Sequence, residues 1–343
     1  MSILLTGGAG YIGSHTAAVL ADAGQTVVLY DSLRNSSAEA IRRLHAITRR
    51  PPVFVEGDIR HTGRLARVLQ EHGVEAVIHM AGLKTVAESI SEPIDYYHTN
   101  VQGTLSLLDA MDSLSIHRLV FSSSATVYGE PAYLPIDEEH PLRATNPYGR
   151  TKLHIEDMLL DLARSNPRWS IACLRYFNPA GAHESGLIGE SPRGVPTNLM
   201  PHIAEVAAGS LSRLTVFGGD YDTPDGTGIR DFIHVMDLAE GHLAALDFLS
   251  ANTGWHAFNL GTGRGYSVLE MIAAFTAASG RPIPYRFQPR RPGDVAVCYA
   301  DPGKAERLLG WKAWRSLEAM CASTWRWRSG GHAEDASGVR AWA

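Results

Sequence analysis

The opening of the chain, SILLTGGAGYIGSHTAAVLADAG and then TVVLYD, restricts the possible folds more than any other stretch. Apolar residues from Ile3 to Leu5 read as a buried strand, glycines follow at Gly7, Gly10 and Gly13, and an alanine-rich helical segment leads to a second strand ending on Asp31. Strand, glycine turn, helix and strand make a βαβ unit. Glycines in such a turn let the backbone bend tightly and approach a pyrophosphate, which rests on the helix N-terminus. Gly7, Gly10, Tyr11, Ile12 and Gly13 are therefore candidate dinucleotide contacts. Asp31 stands eighteen residues beyond Gly13, placed to accept hydrogen bonds from an adenosine ribose and to repel a 2′-phosphate. NAD is expected rather than NADP, although Arg34 nearby could meet a phosphate.

A second constellation lies further on. HRLVFSSSATVYG reads as a buried strand emptying into Ser122, Ser123 and Ser124, at the kind of strand end where open α/β sheets hold ligands. NPYGRTKLHIEDMLLDLA has a proline near its start and helical spacing through Leu153, Met158, Leu159 and Leu162. Tyr148 and Lys152 thus share one helix face at i and i+4. A phenol of pKa about 10 is a poor base, and a neighbouring ammonium should bring it toward neutrality, with Ser124 passing or holding the proton. Taken alone, such a pair is an ordinary helix pair; the glycine turn is what promotes it. Two more strand ends should face the same ligand: PVFVEGDI closes on Asp58 and Ile59, and GVEAVIHMAGLK on Met80, Ala81 and Gly82, with Lys84 beyond. Asn100 interrupts the apolar stripe of the helix after Ile94 and needs a partner, either a ligand or a neighbouring helix.

Composition excludes several classes. A net charge of −5 leaves no basic footprint, so no nucleic-acid partner is expected. No segment approaches the ~20 apolar residues of a membrane span and no leader pattern opens the chain, so a soluble, cytoplasmic protein is expected. Cys173, Cys298 and Cys321 are too scattered for a disulfide framework, and the histidines form no HxxxH or HExxH pair, so no metal is expected. After WSIACLRYF the glycine- and proline-rich NPAGAHESGLIGESPRGVPTNLMP marks departure into a second lobe near Asn178.

Together, GGAGYIG, Asp31, SSSATVYG and YGRTK resemble the extended short-chain dehydrogenase/reductases. RYFNPAGAH, TNLMPHI, GTGIRDFIHVMDLAEGH, FNLGTG and RRPGDVAVCYAD look like the UDP-glucose 4-epimerase family within them, along almost the whole chain. The fold expected is α/β: a Rossmann-type doubly wound parallel sheet with a smaller mixed α/β substrate-binding lobe. Residues 1–177, rejoined by 231–262, should form the NAD-binding domain, 178–230 and 263–328 the substrate lobe, and 329–343 a frayed tail.

The resemblance also implies roles. NAD would meet Asn35, Ser36, Asp58, Ile59, Met80, Ala81, Gly82, Lys84, Asn100, Ser122, Ser124, Tyr148, Lys152, Tyr176 and Phe177, besides the glycine turn and Asp31. A UDP-sugar would meet Lys84, Ser124, Tyr148, Asn178, Asn198 and Leu199, a uracil wall of Thr215, Val216 and Phe217, the cations Arg230 and Arg291, and Asp294 and Cys298. The implied chemistry interconverts UDP-galactose and UDP-glucose: Tyr148 as phenolate takes the 4-hydroxyl proton, NAD accepts the C4 hydride, and the hydride returns to the opposite face. Lys152 would keep Tyr148 ionised and bond the nicotinamide ribose. Cys298 is small at a position where a bulky residue would exclude an N-acetyl group, so UDP-GlcNAc and UDP-GalNAc are further expected substrates, and UDP-xylose/UDP-arabinose epimerisation is an alternative. A dehydratase would need an acid at Ala125 or Thr126, and a non-catalytic NAD sensor would not need Ser124, Tyr148 and Lys152 together. A homodimer through helices near 94–112 and 148–164 is also implied.

Overall fold

The structure, a computed structural model, describes residues 1–191, 196, 198–291 and 293–330. In chain order the first half runs β1 Ser2–Thr6, α1 Tyr11–Asp22, β2 Thr26–Asp31, α2 Ala38–Ile47, β3 Val53–Glu56, α3 Thr62–Glu71, β4 Ala76–His79, α4 Val86–Ser91 and α5 Pro93–Tyr96. A π-helical turn over Tyr97–Gln102 leads into α6 Gly103–Ser113, then β5 Arg118–Ser122, α7 Pro147–Ser165 and β6 Ser170–Tyr176. The second half has β7 Asn178–Ala180, α8 Leu199–Ala207, β8 Leu214–Phe217, β9 Ile229–His234, α9 Val235–Phe248 and β10 Gly254–Leu260. It continues through β11 Gly265–Ser267, α10 Val268–Ser279, β12 Tyr285–Gln288, β13 Val297–Cys298, α11 Gly303–Leu309 and α12 Leu317–Ser329.

Short apolar runs with no polar alternation should lie in a sheet covered on both faces. They do: a parallel seven-stranded sheet has the order β10-β6-β5-β4-β1-β2-β3. Along β1 the side chains alternate between two layers. Ile3 and Leu5 pack with α1 and α9 residues such as Ala17, Leu20, Leu238 and Leu246, whereas Leu4 packs with Leu65, Leu107 and Leu159 of α3, α6 and α7. Each such fully buried leucine stabilises the fold by roughly 1.5–3 kcal/mol. The sheet order reverses between β1 and β4, and in doubly wound sheets that switch point opens a ligand crevice at the carboxyl ends of the strands.

The second lobe holds β9 between partners, parallel to β7 and β13 and antiparallel to β11, with β8 and β12 as a separate parallel pair. Its core gathers Met200, Ile203, Phe232, Phe275 and Met320 from α8, β9, α10 and α12. The lobes interleave, but the pairings draw the boundary differently from the sequence expectation. The return to the large sheet is made by α9 and β10, while β9 through His234 stays with the second lobe. Ala305 of α11 and Trp311 join the first-lobe core, because the α9 surface is completed by them. Ser329 closes α12, and residues 331–343 of the expected tail lie outside the described residues. Among the described residues no helix is long and apolar enough to cross a membrane.

Candidate active site

The glycine turn is built by steric necessity. Gly7 sits at φ +72°, and a Cβ there would lie 2.8 Å from the Ala81 nitrogen; one on Gly13 would lie 2.4 Å from the Gly7 carbonyl oxygen. Only glycine lets β1, the α1 N-terminus and the loop after β4 approach this closely. Asp31 holds the turn open: Oδ2 accepts from Ala9 N at 3.0 Å, and Oδ1 from Leu33 N at 2.8 Å and Ser36 Oγ at 2.9 Å. Gly7, Gly10, Tyr11, Ile12, Gly13, Asp31, Asn35 and Ser36 line one long cavity. Asp58, Ile59, Met80, Ala81, Gly82 and Lys84 line it too, from the ends of β3 and β4. Arg60 grips Asp58 with two hydrogen bonds, which hold its carboxyl down at about 2. The helix N-terminus, the glycine backbone and these strand ends form a cradle that fits a dinucleotide.

Ser124, Tyr148, Lys152, Tyr176 and Phe177 line the same cavity. Asn146 caps α7, accepting from Gly149 N at 2.8 Å, and this fixes the direction in which Tyr148 and Lys152 leave the helix. Ser124 Oγ accepts from Thr126 N and Thr126 Oγ1, so its own hydrogen is directed at the Tyr148 phenol. Burial pushes Tyr148 up to about 12, and that Ser124 bond works in the opposite direction. Lys152 Nζ donates to the Ser122 carbonyl at 2.7 Å and lies 4.8 Å from the Phe121 ring centroid but 6.0 Å from that of Tyr148. Burial lowers Lys152 to about 8, against the pull of Glu156.

Beneath these residues lies a buried polar network that sequence reasoning missed. Glu156, one turn beyond Lys152, accepts from Ser123 Oγ at 2.5 Å and pairs with Arg175 at 2.6 Å. Arg175 also donates to Tyr128 OH, whose hydroxyl donates to Asn259 Oδ1. A buried ion pair of this kind fixes geometry more than it adds stability. Only the i, i+4, i+8 spacing of 148, 152 and 156 hinted at it.

Asn100 and Ser122 do not line the cavity. Asn100 is buried in the π-helical turn, accepting from Leu83 N at 2.7 Å and donating to Leu83 O and Thr151 Oγ1, so it ties the loop after β4 to α7. Ser122 turns its hydroxyl toward His242 Nε2, at 3.4 Å. Of the substrate residues, Asn178 and Asn198 line the cavity, and Leu199 opens α8 against the second-lobe core. Val216 is buried in that core, which removes its side chain from any uracil wall, while Thr215 and Phe217 face out. A separate group forms beside them: Arg291 lies 4.9 Å from the Phe217 ring centroid and donates to Asp294 at 2.9 Å, and Arg230 reaches Asp294 at 3.9 Å. Cys298, cross-strand from Arg230, packs against the cluster of Val127, Phe177 and Ala300. Glu190, Arg43 and Trp327 also line the cavity, although no motif announced them.

The profile of the NAD dependent epimerase/dehydratase family matches residues 3–261. The chain belongs to this family. Among curated members it is 57% identical to the UDP-glucose 4-epimerase of Bacillus subtilis (strain 168) over 329 residues, covering 96% of this chain and 97% of that protein. Two solved members superpose closely. The UDP-glucose 4-epimerase of Stenotrophomonas maltophila, with bound NAD and formylated UDP-arabinopyranose, has a TM-score of 0.95 and 51% identity, covering 96% of this chain and 98% of that one. That of Bifidobacterium longum, in complex with NAD+ and UDP, has a TM-score of 0.94 at the same identity and coverage. In this epimerase/dehydratase, Thr126 stands directly after Ala125, leaving no carboxylate beside Ser124.

Proposed function

We infer that this chain is an NAD-dependent UDP-glucose 4-epimerase, interconverting UDP-galactose and UDP-glucose by transient oxidation at sugar C4. The observation that carries the reading is the meeting of Ser124, Tyr148 and Lys152 in the cavity whose other end is the glycine cradle. NAD, when bound, supplies a hydride acceptor that gives the hydride back to the opposite face of C4. The glycine turn, Asp31 and the ends of β3 and β4 would hold it. Tyr148 accepts the 4-hydroxyl proton, and the donated Ser124 hydrogen bond stabilises the phenolate. Lys152, fixed on the Ser122 carbonyl, adds positive charge from inside a low-dielectric wall. Asn178 and Asn198, with the Arg230, Arg291 and Asp294 group, would grip the UDP portion and leave the sugar free to turn. Elimination chemistry is disfavoured, because the turn after Ser124 carries no acid.

Finer features belong to the same reading. Cys298, packed near Phe177, is a small side chain where a tyrosine would add bulk, which supports UDP-GlcNAc and UDP-GalNAc as substrates as well. The apolar side chains Ile90, Ile94 and Leu105 remain exposed on α4–α6 and support a homodimer there. Three free cysteines support a cytoplasmic protein, and the proposed UDP-galactose reaction would put it in galactose metabolism.

Purified protein given UDP-galactose and no nicotinamide should form UDP-glucose with no accumulating NADH. If turnover instead requires added NAD and NADH accumulates, the enzyme is a net dehydrogenase and the reading fails. UDP-GalNAc offered to wild type and to Cys298→Tyr tests the size gate: turnover unchanged by the tyrosine rules it out.

A further inference from the structure

One wall of the cavity has no part in the chemistry just described. Leu187, Ile188, Gly189 and Glu190 of the 181–191 segment line the cavity together with Trp327 from the last helix. α12 holds that segment from one side: Ala182 N donates to Ser323 Oγ at 3.1 Å, Arg326 donates to the Glu184 carbonyl at 2.7 Å, and Trp327 Nε1 donates to the Glu190 carbonyl at 3.3 Å. The dinucleotide lobe holds it from the other, since Tyr11 OH donates to the Gly181 carbonyl at 2.6 Å and Lys84 Nζ reaches Glu190 Oε1 at 3.3 Å. Trp327 is 4% exposed, and a Cβ on Gly189 would lie 2.5 Å from its ring, so the segment seats on the indole with no room for a side chain. Across the lobes, the guanidinium of Arg43 on α2 lies 5.2 Å from the indole centroid, with Arg43 Nε anchored on Glu39 at 2.9 Å.

We propose that Trp327, seated between Gly189 and Arg43, is a latch joining the two lobes around the dinucleotide half of the cavity and governing how slowly NAD leaves. The proposal rests on the reading that NAD is resident. Trp327 and Arg43 are positioning residues: neither stands near Ser124, Tyr148 and Lys152 in the chemistry, and their effect falls on cofactor retention. A dinucleotide threaded between α2 and the 181–191 segment escapes when these walls part. Parting them breaks the cation–π contact and the Trp327 bond to Glu190 together.

The test measures NAD carried by full-length protein through prolonged gel filtration, and the rate at which isotopically labelled NAD replaces it. Trp327→Ala should lose NAD about tenfold to a hundredfold faster than wild type, and excess NAD should restore its turnover. Trp327→Phe, which keeps an aromatic face for Arg43, should fall between. Trp314→Ala, which removes a tryptophan 69% exposed on the surface, should behave as wild type. Should Trp327→Ala fail to fold, Arg43→Ala decides, with exchange several-fold faster expected. Exchange at the wild-type rate in either latch variant, or equal acceleration in Trp314→Ala, overturns the latch. A wild-type chain that binds no NAD at all overturns the cofactor reading instead, and that outcome is separate.

Discussion

The two ends of the proposed site are made of different materials. The dinucleotide end is made of backbone and buried side chains: glycines whose missing Cβ atoms set the distances, and an Asp31 whose hydrogen bonds are satisfied inside the fold. The proposed sugar-nucleotide end is made of side chains on short strands and the loop before β13, with Phe217 38% exposed and Arg230 and Arg291 both pairing with Asp294. Backbone cannot rearrange cheaply, whereas surface ion pairs exchange partners at a cost of about 1 kcal/mol or less. One end thus suits a permanent guest and the other a guest that must leave on every turnover.

Chemistry should fail before either kind of binding does when the residues between the two ends are changed. Lys152→Met should lower turnover at neutral pH by roughly a hundredfold to ten-thousandfold, the range that general-base catalysis contributes, because Tyr148 loses the charge that favours its ionised form. Without the ammonium the Tyr148 phenol titrates higher still, so activity of the variant should keep rising with pH after the wild type has levelled. Bound NAD should be retained. Stopped-flow turnover across pH 6–10 with parallel cofactor assay checks this, and a variant with the wild-type profile would remove Lys152 from the mechanism.

The opposite end should show a smaller and purely substrate-directed effect. Charge-assisted hydrogen bonds are worth roughly 1.5–3 kcal/mol each, so Arg291→Met should raise KM for UDP-galactose about tenfold to a hundredfold. NAD occupancy and kcat should hold. An unchanged KM would mean that the pairing of Arg291 with Asp294 is structural, and a loss of NAD would dissolve the distinction between the two ends.

The same contrast explains what was legible in the sequence. Glycines with fixed spacing, Ser124 at a strand end and a tyrosine and lysine one turn apart are local patterns, and they line one cavity. Asn100 was read as a polar group needing a partner, but whether that partner was ligand or protein depended on where Leu83 and Thr151 fell, which periodicity does not encode. Val216 sits in a strand where a one-residue phase decides core or surface. Glu190 and Trp327 come from a glycine-rich loop and the last helix, far apart in sequence from each other and from α2, so no local pattern could announce their meeting. The retreat of Lys152 onto the Ser122 carbonyl was illegible for a similar reason: i and i+4 spacing gives the helix face, while the acceptor comes from another strand.

The smallest effect expected concerns how each half withstands acid. Under the dinucleotide end lie three fully buried histidines held neutral by burial: His15 on α1 and His79 on β4 are pushed down to about 3, and His242 on α9 to about 4. Thr6 and Thr104 bracket the His79 ring at 2.7 and 2.8 Å: the Thr104 hydroxyl donates to the Asn100 carbonyl and so accepts from Nε2, which leaves Nδ1 of the neutral ring to accept from the Thr6 hydroxyl. Unfolded histidines take up a proton below about pH 6.5, whereas these refuse it until pH 3–4. The unfolded state therefore binds more protons throughout that window, so the stability they contribute is whole above pH 6.5 and drains away as the pH falls toward 4. The second lobe has histidines of its own that burial lowers, His234 on β9 to about 3 and His202 on α8, but α10 contains none. At pH 5, amide exchange in β1, β4 and α9 should accelerate more than in α10, relative to pH 7.5. Equal acceleration in α10 would show that the acid response is global, and that the buried histidines confer no local sensitivity.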